Sequence, residues 1–131
     1  MNQTQLEADI AAIDDYLAEN EIDAQTHPSG LRYVITAQGE GNTPTLCDNV
    51  IVTYEGSLLS NGEVFDGTDD PVNFPLNALI TGWKIGIPLV QSGGSITLYI
   101  PSGFGYGSQG SGEAIPPNSN LIFEIALTSV N

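Results

Sequence analysis

The sequence predicts an α+β fold: a curved antiparallel β-sheet wrapped around one short central helix, preceded by an N-terminal helix. Three observations carry this expectation. Apolar residues alternate with polar ones along several short runs separated by turn residues, the pattern of strands with one buried face. The only tryptophan, Trp83, sits in Leu79–Pro88, a stretch too short and too broken by glycine for a long helix. Leu6, Ile10, Ile13 and Leu17 recur at spacings of four, three and four, which places them on one stripe of a helix.

The elements follow in chain order. Residues 2–20 read as the N-terminal helix, with Thr4 or Asn2 able to cap it and Glu7 and Asp9 suited to its first turn. Asp14, Asp15 and Glu19 oppose the dipole at its far end, so the helix is expected to depend on packing. Its stripe could pair two chains into a homodimer, although two heptads are fewer than a confident coiled coil needs. Glu21–Gly30 is a connector containing His27, a loop residue, ahead of the turn chemistry of Pro28, Ser29 and Gly30. Leu31–Thr36 is the first strand, and Asn49–Ser57 the second, with Val50, Val52 and Tyr54 on one face. Asn61-Gly62 marks a hairpin turn, and Glu63–Asp66 returns from it. Gly67–Pro71 reads as a loop and Val72–Leu76 as a short strand. The helix at Trp83 should stop before Pro88, with Trp83 beneath the sheet. Ile96, Leu98 and Ile100 point one way along the next strand, and Leu121, Phe123, Ile125 and Leu127 form an inward row on the last. Between them lies a long loop, Ser102–Asn120, rich in Gly, Ser and Pro but also holding Phe104, Tyr106, Ala114 and Ile115. Loops of that length inside a compact domain usually carry function or lack order.

Composition narrows the function classes. The 131 residues suit one globular domain, here divided into an N-terminal helical extension and connector (residues 1–28) and a domain spanning residues 29–131. Sixteen acidic residues against two basic ones, a formal charge of −14, argue against nucleic acid and against anionic membrane surfaces. No apolar stretch is long enough to span a bilayer. If Met1 is the native start, the absence of a basic-then-apolar leader points to the cytoplasm; if an export signal has been removed, the protein is periplasmic or exported. Cys47 stands alone and reads as a small buried hydrophobe ahead of a strand. A single histidine and a single cysteine exclude a thiolate zinc site and a nucleophile–base pair. The carboxylates of Asp66, Asp69 and Asp70 do not have the spacing of a calcium loop. Neither a metal nor a cofactor is expected.

What remains is an aromatic hollow with a few polar groups. Val52-Thr53-Tyr54-Glu55-Gly56, Gly62-Glu63-Val64-Phe65-Asp66, Ile80-Thr81-Gly82-Trp83, Phe104-Gly105-Tyr106-Gly107, Ala114-Ile115-Pro116-Pro117-Asn118 and Leu121-Ile122-Phe123 occur in that order. Together they closely resemble the FKBP-type peptidyl-prolyl cis-trans isomerases, over roughly residues 31 to 130. The N-terminal helix and the Ser29–Tyr33 entry look like bacterial members with a helical extension, in which such extensions often dimerise.

The resemblance implies an FKBP-like fold and rotation about X-Pro bonds in protein folding, with proline-containing polypeptides as partners. By match, Asp66, Tyr106 and Tyr54 would be catalytic, Asp66 standing beside the twisting amide and held by Tyr54. Phe65, Leu79, Ile80, Trp83, Ile115, Phe123, Val72 and Ala114 would bind substrate. Trp83 would be the floor under the proline ring, while the Ile80 N–H and the Tyr106 hydroxyl would each meet a substrate carbonyl. Val72, Ser111 and Ala114 depart from the common pattern, and the segment between Phe74 and Ile80 is short. These changes open one wall and weaken the expected affinity for rapamycin-like macrolides more than they weaken catalysis. Gly67–Pro71, directly after Asp66, holds no basic residue, so hydroxyls and backbone donors are expected to hold it, with Arg32 folding back as the competing arrangement. The reading of a different class is a non-catalytic module that holds proline-containing segments, or a scaffold that presents its helix.

Overall fold

A computed structural model describes residues 3–107, 110 and 115–130. Helix α1 (Gln3–Glu19) comes first, then strands β1 (Gln25–Thr26), β2 (Arg32–Ala37), β3 (Asn49–Leu58) and β4 (Val64–Pro75). Helix α2 (Thr81–Gly86) follows, flanked by 3-10 turns at Leu76–Ala78 and Ile87–Leu89. Strand β5 (Ser95–Ile100), a 3-10 turn at Ser102–Phe104 and strand β6 (Leu121–Val130) complete the order. The six strands form one sheet in the order β1-β2-β5-β6-β3-β4, with every neighbouring pair antiparallel. The expected α+β architecture is the one observed.

The sheet has two different faces because side chains alternate along each strand. Val50 and Val52 of β3, Ile96, Leu98 and Ile100 of β5, and Leu121, Phe123, Ile125 and Leu127 of β6 point inward and are buried with Trp83 and Ile87. Trp83 is 4% exposed, as the reading of it as core required. Burying so large a side chain contributes on the order of 4–6 kcal/mol by area, an upper estimate.

The outer face is covered at one end by α1. Ile13 and Leu17 are buried there against Tyr99, with Val34 and Ile122 alongside. The stripe expected to pair two chains is therefore occupied at Ile13 and Leu17 by the chain's own sheet, while Leu6 and Ile10 are half-buried. Asp9 is not in the first turn, where its charge would meet the helix dipole; it lies on the buried side of α1 at 3% exposure. The helix ends on Glu21 at φ 56°, with Ile22 N–H donating to Leu17 C=O (2.9 Å) and Glu21 N–H to Ala18 C=O (3.3 Å). That is a Schellman ending with Glu at the left-handed position that glycine usually takes, closed by apolar packing of Ile22 with Leu17.

Two local expectations are corrected. Gly67–Pro71 is not a loop, because β4 runs continuously through it. The register on β3 shifts between the pairs Val52↔Val72 and Tyr54↔Thr68, so the turn-like residues form a bulge. Within it Thr68 Oγ1 accepts from Asp70 N–H and donates to Asp70 C=O, both at 3.1 Å. Proline fits there because β4 is an edge strand. Helix α2 ends at Gly86, before Pro88 as expected, and Pro88 is the second residue of the next 3-10 turn, where its missing N–H costs nothing. Cys47 is exposed rather than buried, in a turn where Asp48 Oδ2 accepts from the Thr45 N–H. No described helix is long and apolar enough to cross a membrane.

Candidate functional site

On the inner side, the sheet and α2 leave a cavity of about 180 Å³ lined by Tyr54, Asp66, Phe74, Leu79, Ile80, Trp83, Tyr106 and Phe123. Its walls follow from local structure. Tyr54 continues the inward row of β3, and Phe123 that of β6. Leu79 and Ile80 lie between the first 3-10 turn and α2, both in extended conformation. Ile80 is the N-cap of α2 (φ −61°, ψ 156°), so its own N–H lies outside the hydrogen bonding of the helix.

The rings meet edge to face around Trp83. Tyr54 is 5.1 Å from it at 81°, Phe123 5.2 Å at 85°, and Phe74 6.2 Å at 84°. Such geometry places positive ring edges on negative faces and adds about 0.5–1.5 kcal/mol per pair beyond area. It also leaves a faceted hollow where a parallel stack would leave none. Phe65 packs edge to face on Phe123 at 5.5 Å. Gly56 makes room for this: a Cβ there would lie 2.5 Å from Phe123 Cε1 and 2.9 Å from Phe65 Cζ.

The polar groups stand at the rim. Asp66 is exposed. Its Oδ2 accepts from the Tyr54 hydroxyl (3.0 Å) and its Oδ1 from the Gly67 N–H (2.8 Å). Arg32 does not reach it. Arg32 is bound to Asp14 of α1, Nε to Oδ1 at 3.0 Å and Nη2 to Oδ2 at 3.2 Å, and its Nη1 donates to Gly30 C=O. A hydroxyl and a backbone donor therefore hold Asp66. Burial, followed by the hydrogen bond to Asp66 and the charges of Asp66 and Tyr106, pushes the Tyr54 phenol up to about 12. Burial and the Asp66 carboxylate also push Tyr106 above the usual phenol range. Both hydroxyls thus stay protonated donors at neutral pH. The indole N–H of Trp83 is buried without a hydrogen-bond partner among the described residues.

Of the residues expected here, Asp66, Tyr54, Tyr106, Leu79, Ile80, Trp83 and Phe123 line one cavity. Phe65, Ile115 and Val72 do not line it. Phe65 lies behind Phe123, and Ile115 is 4% exposed within the core. Val72 lies opposite Val52, and its short β-branched side chain leaves the wall to Phe74. Ala114, like Ser111, lies outside the described residues. Phe74 was missed as a lining residue. The signal for it is its alternation with Val72 opposite Val50 and Val52, which puts it on the inner face. A larger hollow of about 450 Å³ lies on the outer face, but threonines, serine and the carboxylates of Glu55, Asp69 and Glu124 line much of it. The aromatic cavity is the candidate, since of the two it is the one that combines apolar walls with convergent polar groups. No cluster of His, Cys, Asp and Glu able to hold a metal occurs among the described residues.

Residues 40–128 match the model of the FKBP-type peptidyl-prolyl cis-trans isomerase family. The chain belongs to this family. It is 47% identical over 109 residues to the probable FKBP-type peptidyl-prolyl cis-trans isomerase FkpA of Neisseria meningitidis, covering 81% of this chain and 40% of that protein. It is 41% identical over 103 residues to FK506-binding protein 1 of Dictyostelium discoideum, covering 75% of this chain and 95% of that protein. Among solved structures, the crystal structure of FkpA from Escherichia coli superposes with a TM-score of 0.83 at 33% identity, over 98% of this chain and 64% of that one. The peptidyl-prolyl cis-trans isomerase of Pseudomonas syringae pv. tomato gives 0.82 at 31% identity, over 95% of both chains. The chain spans about half the length of several curated bacterial relatives, 40% to 58% of each.

Proposed function

We propose that this chain is a peptidyl-prolyl cis-trans isomerase acting on X-Pro bonds of polypeptides, with residues 29–131 as the working unit and residues 1–28 as an accessory to it. The observation that carries the reading is the cavity itself: apolar rings on the inside, with Asp66, Tyr54 and Tyr106 gathered at one rim. An X-Pro bond turns slowly because twisting loses amide resonance, a barrier of about 18–20 kcal/mol. No covalent step is needed to lower it. A site that binds the twisted amide better than the planar one accelerates the turn about tenfold for every 1.36 kcal/mol of preference.

The geometry supports such a preference. The proline ring packs on Trp83, between Tyr54, Phe74 and Phe123, which excludes water from the turning bond. The Ile80 N–H and the Tyr106 hydroxyl hold the flanking carbonyls, so the chain on one side of the bond is fixed while the other turns. Asp66, with its two donors in place, stands at the rim beside the bond. A volume of about 180 Å³ is small beside the roughly 300–1,000 Å³ of drug-sized pockets. That supports a proline ring as the occupant and weak binding of rapamycin-like macrolides. The buried Ile13 and Leu17 favour a chain that works without pairing through α1.

The test is a protease-coupled or exchange-NMR assay on a series of X-Pro peptides. We expect acceleration above the thermal rate, greatest for apolar residues before proline, where the ring of Phe123 and the aliphatic side chain of Leu79 would meet them. Saturable peptide binding without acceleration would replace this reading with that of a proline-binding module.

A further inference from the structure

Among the described residues outside the cavity, one carboxylate is buried, that of Asp9 of α1, at 3% exposure. Its Oδ2 accepts from the Ser102 hydroxyl (2.5 Å) and the Ser102 N–H (3.2 Å), and its Oδ1 from the Gln5 side-chain amide (2.8 Å). Ser102, 1% exposed, opens the 3-10 turn that leads to Tyr106. The same Ser102 N–H also donates to Asn120 Oδ1 (3.1 Å), on the residue before β6. One point thus ties α1 to both ends of the loop that borders the cavity.

We propose that Asp9 is a positioning residue for the reaction, setting the place of the Tyr106 hydroxyl at the cavity mouth through Ser102. From Ser102 the connection is short. Its C=O accepts from the Gly105 N–H (3.0 Å), and Tyr106 is the next residue. Gly105 lies flat on β6, where an added Cβ would stand 2.8 Å from Leu121 Cδ1. The Tyr106 side chain is 37% exposed, so packing does not fix it; the turn before it does.

A buried carboxylate is a costly way to dock a helix. An apolar side chain of similar volume at such a position is often as stable or more so. What the hydrogen-bonded carboxylate adds is a single geometry, because its lone pairs accept only from donors held in one place. Ile13 and Leu17 already provide apolar docking to α1. The polar contact sits where α1 meets the turn of the Tyr106 loop, so a single geometry there is a single geometry for the loop.

The inference rests on the isomerase reading, and its test has an arm that does not. In the full chain, Asp9→Ala is expected to lower kcat/KM about fivefold, the size of one misplaced hydrogen bond, at temperatures where it remains folded. Asp9→Asn, which keeps an acceptor for Ser102, should stay within about twofold of wild type. Ile13→Ala should lose stability with kcat/KM unchanged. In a Tyr106→Phe background, Asp9→Ala should cost nothing further, since both changes remove the same contact. Independently of activity, the ring NMR signals of Tyr106 should shift in Asp9→Ala and not in Ile13→Ala. If Asp9→Ala does not fold, Ser102→Ala carries the same expectations. Unmoved Tyr106 signals, or an equal rate loss in Ile13→Ala, would overturn the proposal. An inactive wild type with shifted signals would overturn the isomerase reading and leave the positioning intact.

Discussion

The two faces of the sheet solve the same problem in opposite ways. At one end of the outer face, α1 closes the surface: Ile13 and Leu17 pack on Tyr99, and the buried carboxylate of Asp9 has three donors. On the inner face, α2 is only six residues long, and the aromatic rings around it meet at their edges. Closure is incomplete there, a cavity remains, and the indole N–H of Trp83 has no partner among the described residues. The apolar packing that stabilises α1 leaves nothing to bind. The packing around Trp83 gives up some contacts and keeps an apolar site with donors at its rim.

That contrast breaks most sharply when one side chain is removed from each face. Trp83→Ala should cost about 3–5 kcal/mol of unfolding free energy, and peptide turnover should disappear with the floor of the cavity. Ile13→Ala should cost about 2–5 kcal/mol, with kcat/KM of the folded fraction unchanged. Denaturant titration paired with a rate assay reads both. A rate loss of similar size in the two variants would mean that the faces are not separable.

A smaller effect tests why α2 lies so close to the sheet. Gly86 packs against Leu98 of β5, and a Cβ there would fall 2.4 Å from Leu98 Cδ2. Gly86→Ala gains helix propensity, up to about 1 kcal/mol, but must push α2 off β5. Overpacking of this kind costs about 1–3 kcal/mol, so the net effect should be destabilising. The shift should also reach Trp83 on the same helix, read as a change in its fluorescence. A stabilised variant would show that the contact with β5 yields freely.

Much of the fold was legible because it rests on local periods. Val50, Val52 and Tyr54, and the row Leu121 to Leu127, alternate as a half-buried strand must, and the structure places them on one face. The bulge at residues 69–71 was not legible: Gly67 to Pro71 have turn composition, and only pairing with β3 makes them a strand. The stripe of α1 was visible, but its partner was not, since periodicity shows that a face is apolar and not what covers it. Asp9 was within reach, three residues after Leu6 and four before Ile13 and so on the buried side, yet it reads equally well as a helix-start acid. The rim was visible only through resemblance, because Tyr54, Asp66 and Tyr106 come from segments with no common period.

The smallest effect concerns the Tyr54–Asp66 contact at that rim and appears only at high pH. Tyr54 titrates near 12 in the folded chain against about 10 for an unperturbed phenol, because burial and the Asp66 carboxylate both disfavour its anion. The folded state therefore holds this proton more tightly than the unfolded chain. Its contribution is fully present below pH 10 and is lost as pH rises from 10 towards 12, where the unfolded state releases the proton first. Tyr99 and Tyr106 are raised as well, so the wild type should lose stability in this window through several phenols together. Tyr54→Phe removes one of them. Its stability should fall less steeply above pH 10, and ultraviolet titration should lose its highest-pH phenolate step. At neutral pH the same variant leaves Asp66 Oδ2 without its hydroxyl donor, while Gly67 N–H still holds Oδ1. The rate should then fall by about fivefold, the cost of a carboxylate freed at one of its two anchors. Identical slopes above pH 10 in the two proteins would mean that Tyr54 does not hold its proton for Asp66, and that the rim is set by the backbone of β4 alone.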